Sequence, residues 1–234
     1  MVNSGKLRLV TDYKESLVTR LQSTKNADIL NEISSRLGSL SAPSKMPGYS
    51  WSISTEHCIT GSKLAKIAGT PCSKCYAQKG FYTFPIVKSA LNTRLRAWQD
   101  DPDWVLLMSI RLLLINKEHF RWFDSGDIQS LKMLQDINQV ALNTDPFVKH
   151  WLPSQERAFV SQLLDIAPNL IIRLSSTKIG SIQSTQLLGI CTSSISKEKI
   201  PNQWNCPSST QDNKCLDCRA CWNKQITNVV YIEH

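Results

Sequence analysis

Eight cysteines stand in the 234-residue chain, and seven of them fall into two groups with the spacing of metal ligands. In "NCPSSTQDNKCLDCRACW", Cys206 precedes a proline, and Cys215, Cys218 and Cys221 follow at three-residue intervals. Thiolates spaced in this way along a loop can each reach a different iron of one cubane, the ligand pattern of ferredoxin-type sites. Zinc favours two separate Cys-x2-Cys knuckles, whereas here the second knuckle overlaps the first and Cys206 stands apart. A 4Fe–4S cluster is the expected occupant of this group, with zinc the alternative metal. In "CITGSKLAKIAGTPCSKC", Cys58 stands ahead of the pair Cys72 and Cys75. Three thiolates leave one iron of a cubane open to water, substrate or S-adenosylmethionine. His57, His234 or Cys191 could instead supply a fourth ligand, although Cys191 in the apolar "LLGICTSS" reads as a core residue.

Other polar groups are placed to cooperate with such a centre. "RWFDSGDIQS" sets Asp124 and Asp127 about a glycine at a strand-to-helix turn, where they could hold an ammonium, a sugar hydroxyl or a cation. The structural alternative is that Asp127 caps the next helix and Asp124 pairs with an arginine. Glu156 and Arg157 could reach the same pocket, or Glu156 could simply open a helix. Arg121 and Arg173 lie within apolar strands, where an unpaired charge is costly, so a carboxylate or an anionic ligand is expected beside each. The seven tryptophans could stack on nucleic-acid bases, but their apolar neighbours favour the core. No phosphate-binding loop, dinucleotide fingerprint, zinc-protease motif or Ser-His-Asp order is present.

The elements that must carry these residues alternate. Helical periodicity runs over residues 12–40 and ends at Gly38; "SWSIS" predicts a first strand, with the front cysteine loop after it. "FPIVKSALNTRLRAW" and "PDWVLLMSIRLLLINK" predict helices, "HFRWFDS" a strand, and "DIQSLKMLQDINQVAL" a helix. The strand "VKHWLPS", the helix "SQERAFVSQLLDIA", the strand "LIIRLSS" and a further strand in "QLLGICTSS" follow. This alternation predicts an α/β fold with a mostly parallel, partial β/α-barrel-like sheet and a cysteine-rich metal-binding tail. Residues 1–48 read as a helical segment and linker, 49–196 as the α/β core with the front cysteine loop, and 197–234 as the tail. Polar strand ends share one edge of such a sheet with the first cysteine group.

Composition narrows the setting. Lys and Arg outnumber Asp and Glu by 27 to 19, a net charge of +8, which favours anionic partners such as nucleic acid. No signal-peptide pattern opens the sequence, and "WVLLMSIRLLLI" is broken by Arg111 and too short to cross a bilayer. A cytoplasmic protein without a membrane partner is expected, and in a reducing compartment its cysteines read as ligands or core residues rather than disulfides.

In combination, "CITGSKLAKIAGTPCSKCYAQKGFY", "FRWFDSGDIQS", "WLPSQE", "CPSSTQDNKCLDCRACW" and "VVYIEH" resemble the bacteriophage family called gene product 88, over roughly residues 50–234. The resemblance implies a phage protein that binds metal in the host cytoplasm, without a settled activity. The chain departs from the family pattern at Phe123, where histidine is expected, and at Ser154-Gln155, where Thr-Arg is common; both departures count against catalysis at those positions. The front group also stands where radical S-adenosylmethionine enzymes, which resemble it in placement, carry a three-cysteine loop, although its first gap is longer. Two functions stay open: a redox or radical enzyme fed by a ferredoxin or flavodoxin, and a metal-stapled protein that engages a host protein or nucleic acid. A simple electron carrier fits the alternating architecture less well.

Overall fold

The computed structural model describes residues 25–233; the start of the helix expected over 12–40, and His234, lie outside the described residues. Seven strands form one sheet in which every pairing is parallel: β1 (Tyr49–Trp51), β2 (His119–Trp122), β3 (Lys149–Ser154), β4 (Leu170–Ser175), β5 (Cys191–Ser196), β6 (Trp204–Asn205) and β7 (Asn228–Ile232). Their order is β1-β2-β3-β4-β5-β7-β6, so the sheet is open, with β1 and β6 at its edges. The α/β class and the parallel, partly barrel-like sheet follow the expectation, and the sheet is open. β6 and β7 were absent from the sequence reading.

Six α-helices join the described strands: α1 (Asn26–Leu37), α2 (Thr60–Leu64), α3 (Pro85–Asp100), α4 (Trp104–Ile115), α5 (Leu131–Thr144) and α6 (Arg157–Val160). α1 ends at Gly38 as expected, and two arginines hold the carbonyls just beyond it. Arg111 Nη2 donates to Gly38 O at 2.8 Å, and Arg94 Nε to Ser39 O at 2.6 Å. The charge that interrupts the apolar run of α4 is thus the clasp on a neighbouring helix end. Two expectations change. The cap of α5 is Ser130, whose Oγ accepts from Met133 N at 3.1 Å, and not Asp127. α6 is one short turn, because Asn138 of α5 captures the backbone beyond it through Asp165 O (2.7 Å) and Ala167 N (2.8 Å). Tertiary hydrogen bonds there outweigh helical periodicity.

Alternation along the strands gives the sheet two different faces. One face presents Trp51, Phe120, Trp122, Leu152, Ile172 and Leu174 to α1, α4 and α5 in the principal core. The other presents Arg121, Trp151, Arg173, Val229 and Tyr231. This second face is covered by residues 206–227, the cysteine-bearing crossover from β6 to β7, with Trp222 edge-on to Trp151 at 5.2 Å. Trp222 Nε1 also donates to Phe120 O at 2.8 Å. A parallel crossover normally carries a helix; here it carries thiols.

His150 on β3 is fully buried, and its ring accepts from Trp122 Nε1 at Nδ1 (3.2 Å) and meets Thr144 Oγ1 at Nε2 (2.8 Å). Burial holds it down to about 3 from an ordinary 6.5. Unfolding therefore takes up a proton over that window, and stability present above about pH 6.5 should drain away as the pH falls. Denaturant midpoints measured between about pH 6.5 and pH 4.5 should show this slope, and His150→Gln should flatten it. Equal slopes in the two proteins would assign the acid sensitivity to other groups.

Candidate metal centres

The front group is built by β1, its following loop and the end of β3. A 3-10 turn over Thr55–His57 presents Cys58, and a second over Pro71–Lys74, capped by Thr70 Oγ1 on Ser73 N (3.1 Å), carries Cys72 to Cys75. Cys58 and Cys72 converge over Gly61: a Cβ there would lie 3.1 Å from Cys58 Cβ and 3.5 and 3.7 Å from the Sγ atoms of Cys58 and Cys72. A side chain at this position would crowd Cys58 by a few tenths of an ångström. Glu156 fixes α2 in place by accepting from Thr60 N and Thr60 Oγ1, both at 2.7 Å. It therefore caps the short helix after Cys58 rather than its own. Burial, then Asp127, Cys75 and Cys72, pushes the Cys58 thiol far up; burial, then Cys75, Asp127 and Glu156, pushes Cys72 up to about 11. Such thiols are poor nucleophiles by themselves. A cation held among them would be what drives their deprotonation.

The four cysteines of the crossover form a second group. Cys206 N is fixed on Val230 O (2.7 Å), Cys215 N on Lys45 O (2.8 Å), and Cys218 N on Cys215 O (2.9 Å). Cys221 Sγ lies 3.1 Å from Tyr231 Oη. Burial and the charges of Cys206 and Cys218 raise Cys215, while Arg121 and Arg219 oppose them. Cys221 goes up to about 12, by burial first, with Cys206 and Cys215 adding and Tyr231 and Arg173 opposing. All eight cysteines are free thiols. Cys191 is buried, with its Sγ on Lys224 O at 3.6 Å, the core position the sequence suggested. Among the described residues no group of three or more His, Cys, Asp or Glu side chains is drawn together so as to hold a single metal ion. His57 Nε2 faces Asn92 Oδ1 at 3.2 Å.

Arg173 meets no carboxylate, and Arg121 forms no ion pair among the described residues but lies in electrostatic range of Asp124. Arg173 donates to four backbone carbonyls: Ala220 O (2.8 Å), Asn223 O (2.9 Å), Cys221 O (3.1 Å) and Thr192 O (3.2 Å). It is the bolt between β4 and the cysteine-bearing crossover. Arg121 lies with its guanidinium 4.5 Å above the Trp151 ring and Nη2 3.4 Å from Tyr76 Oη, while its buried Nε has no hydrogen-bond partner. Tyr76 follows Cys75, and Arg121 is in electrostatic range of Cys215, so this arginine stands between the two thiol groups. Lys74, between Cys72 and Cys75, pairs with Glu233 beyond β7 at 2.5 Å.

Asp127 is tied into the scaffold. Its Oδ1 accepts from Ile128 N (2.8 Å) and Ser154 Oγ (2.7 Å), and its Oδ2 from Gln155 N (2.7 Å). Burial raises it to about 7 against the pull of those donors. It joins the ends of β2 and β3 and is a positioning residue. Asp124 differs: Tyr82 Oη donates to its Oδ2 at 3.1 Å, and its buried Oδ1 has no partner. Ser154, the first departure residue, keeps the hydroxyl that a threonine would supply to Asp127. Phe123 adopts a left-handed φ of 54° and packs on Trp51, ring to ring at 5.6 Å. The gene product 88 family model matches residues 9–228. The chain belongs to the bacteriophage gene product 88 family. The match begins far ahead of residue 50, so the family pattern takes in α1 and the linker that the resemblance had left out. No curated protein and no solved structure is significantly similar to this family member. None of its described helices is long and apolar enough to cross a membrane.

Proposed function

We propose that this protein is an iron–sulfur protein with two thiolate centres, one closed and one open, beside the strand ends of a single parallel sheet. Cys206, Cys215, Cys218 and Cys221 would hold the closed 4Fe–4S cluster, and Cys58, Cys72 and Cys75 the open one. The supporting observation is the convergence of Cys58 and Cys72 over Gly61, matched in the crossover by Cys215 in electrostatic range of Cys206 and Cys218 and by Cys221 in range of Cys206 and Cys215. Clusters of this kind supply one-electron transfer, and three thiolates leave one coordination position for a non-protein ligand. The spacing suits a cluster better than zinc: zinc favours two separate Cys-x2-Cys knuckles, whereas the crossover has two overlapping ones and a lone Cys206.

In this reading the chain's own residues do three things. Glu156 and Asp127 hold the front loop against the ends of β2 and β3. Arg173 holds the crossover. Asp124, with an unsatisfied buried oxygen, is the group that would accept a hydrogen bond from a donor on a ligand at the open position. The ammonium of S-adenosylmethionine is one such donor, and an electron carrier of ferredoxin or flavodoxin type would be the reductant.

Protein purified without oxygen should be brown and contain about eight iron and eight acid-labile sulfide per chain, from two cubanes. Cys215→Ser and Cys72→Ser should each lower both by about half, and the double variant should hold neither. Stoichiometric zinc without sulfide would overturn the proposal. So would iron loss in Cys215→Ser that also empties the front group, since that would make the seven thiols one site. S-adenosylmethionine added to reduced protein should change the electron-paramagnetic-resonance signal that survives in Cys215→Ser; an unchanged signal removes this ligand.

A further inference from the structure

The positive charge is less dispersed than the composition suggests. Residues 57–99 contain five lysines and two arginines and no aspartate or glutamate, so this stretch alone carries +7 of the net +8. It includes the front cysteine loop and all of α3 but its last residue. Lys74 and Lys88 are paired with Glu233 and Glu56, and Arg94 is buried on Ser39 O. Lys63, Lys66 and Lys79 are exposed and form no ion pair among the described residues. Lys63 and Lys66 stand three residues apart at the end of α2, and Lys79 opens the 3-10 turn Gly80–Thr83.

Along the same stretch, aromatic and aliphatic side chains are exposed. Phe81 is 78 % exposed, Ile86 79 % and Tyr76 57 %, with Phe84 also exposed. Phe81 and Phe84 meet edge-on at 5.3 Å, an arrangement that steadies the rings and leaves a face of Phe81 free. Five of the seven tryptophans, Trp51, Trp104, Trp122, Trp151 and Trp222, are buried; Trp98 is half-buried on Asp136, and the exposed Trp204 lies on the edge strand β6, outside this stretch.

We propose that the surface formed by Lys63, Lys66, Tyr76, Lys79, Phe81 and Phe84 binds single-stranded nucleic acid. Phosphates would be met by the three free lysines, and unstacked bases by the open rings of Phe81 and Tyr76. Exposed rings favour single strands over a duplex, whose bases hide their faces in the stack. The absence of any carboxylate along the stretch favours a polyanion over a partner of mixed charge. The surface rims the front thiol group, but the proposal does not depend on metal there.

The test is fluorescence anisotropy of the full chain with a labelled single-stranded DNA and RNA of mixed sequence, against the duplex of the same sequence. Single strands should bind more tightly than duplex. Three phosphate contacts predict a log–log salt slope of about −2. Lys63→Ser, Lys66→Ser and Lys79→Ser together should abolish most of that slope. Phe81→Ala should weaken single-strand binding by about 5- to 100-fold and leave duplex binding nearly unchanged. Because these side chains are exposed, thermal unfolding should not move. Removing the same charge at Lys197, Lys199 and Lys224 should change affinity less than about twofold, as expected when those positions make no phosphate contact. The proposal is overturned by any of four results: no binding at low salt, equal affinity for duplex, insensitivity to Phe81→Ala, or displacement by polyglutamate as readily as by unlabelled single strand. The last would identify an acidic protein surface as the partner.

Discussion

Arg173→Met is expected to release the cysteine-bearing crossover from the sheet and to lower stability by about 3–4 kcal/mol. Methionine fills much of the arginine's volume, so the cost is not a cavity. It is the loss of donors to Thr192 O, Ala220 O, Cys221 O and Asn223 O, carbonyls that are left with fewer partners. Relief from burying a charge offsets part of that loss. Arg173→Lys should recover little, since one ammonium cannot span carbonyls that the planar guanidinium reaches together. Urea unfolding gives the stability change, and limited proteolysis at Lys214, Arg219 or Lys224 reports the loosened crossover. A midpoint shift worth less than about 1 kcal/mol, with cleavage no faster than in the parent, would mean that the guanidinium is not what fastens the crossover.

Gly126→Ala should be nearly as damaging and far more local. Gly126 has φ +77°, and a Cβ there would lie 2.4 Å from Ile53 Cγ1 and 2.8 Å from Ile53 O. Left-handed strain contributes about 1–3 kcal/mol. The backbone clash adds to it by forcing apart the loops after β1 and β2. Those loops carry Cys58 on one side and Asp124 and Asp127 on the other. On the iron–sulfur proposal, the expected result is a loss of about half the iron, from the front group, with the crossover group still loaded. Gly48→Ala is the contrast. Its Cβ would meet His119 O at 1.9 Å, a worse clash, but at the opposite ends of β1 and β2. It should lower stability without a preference for either centre. If Gly126→Ala and Gly48→Ala deplete iron alike, the first effect is global unfolding and not damage to the front site.

The strands through β5 were legible because each alternates or runs apolar between clear turn signals, and "VKHWLPS" and "LIIRLSS" became β3 and β4. β6 and β7 were not. β6 has two residues, too few for a period, and "NVVYI" sits beside the cysteine spacing that drew attention to ligands. The thiol groups were legible from spacing alone. What holds them was not: Glu156 on Thr60, Asp127 on Gln155 N and Arg173 on the crossover carbonyls join residues 28 to 96 positions apart, and no local pattern records such pairs. The partners of Arg173 were illegible for the same reason. A strand arginine announces that its charge must be satisfied but not by what, and backbone carbonyls gathered by a 3-10 turn serve as well as a carboxylate. A net charge of +8 hides the stretch 57–99, because the informative quantity is where the acids are missing.

The crossover between β6 and β7 contains the 3-10 turns Pro207–Thr210 and Ala220–Trp222 and no α-helix. Its loosening would therefore be almost silent in far-ultraviolet circular dichroism, which is dominated by the helices on the other face. Trp222, wedged between Trp151 and the β2 backbone, would report instead through near-ultraviolet dichroism and a red-shifted emission. For this protein, a full complement of secondary structure is no certificate that the sheet's second face is covered.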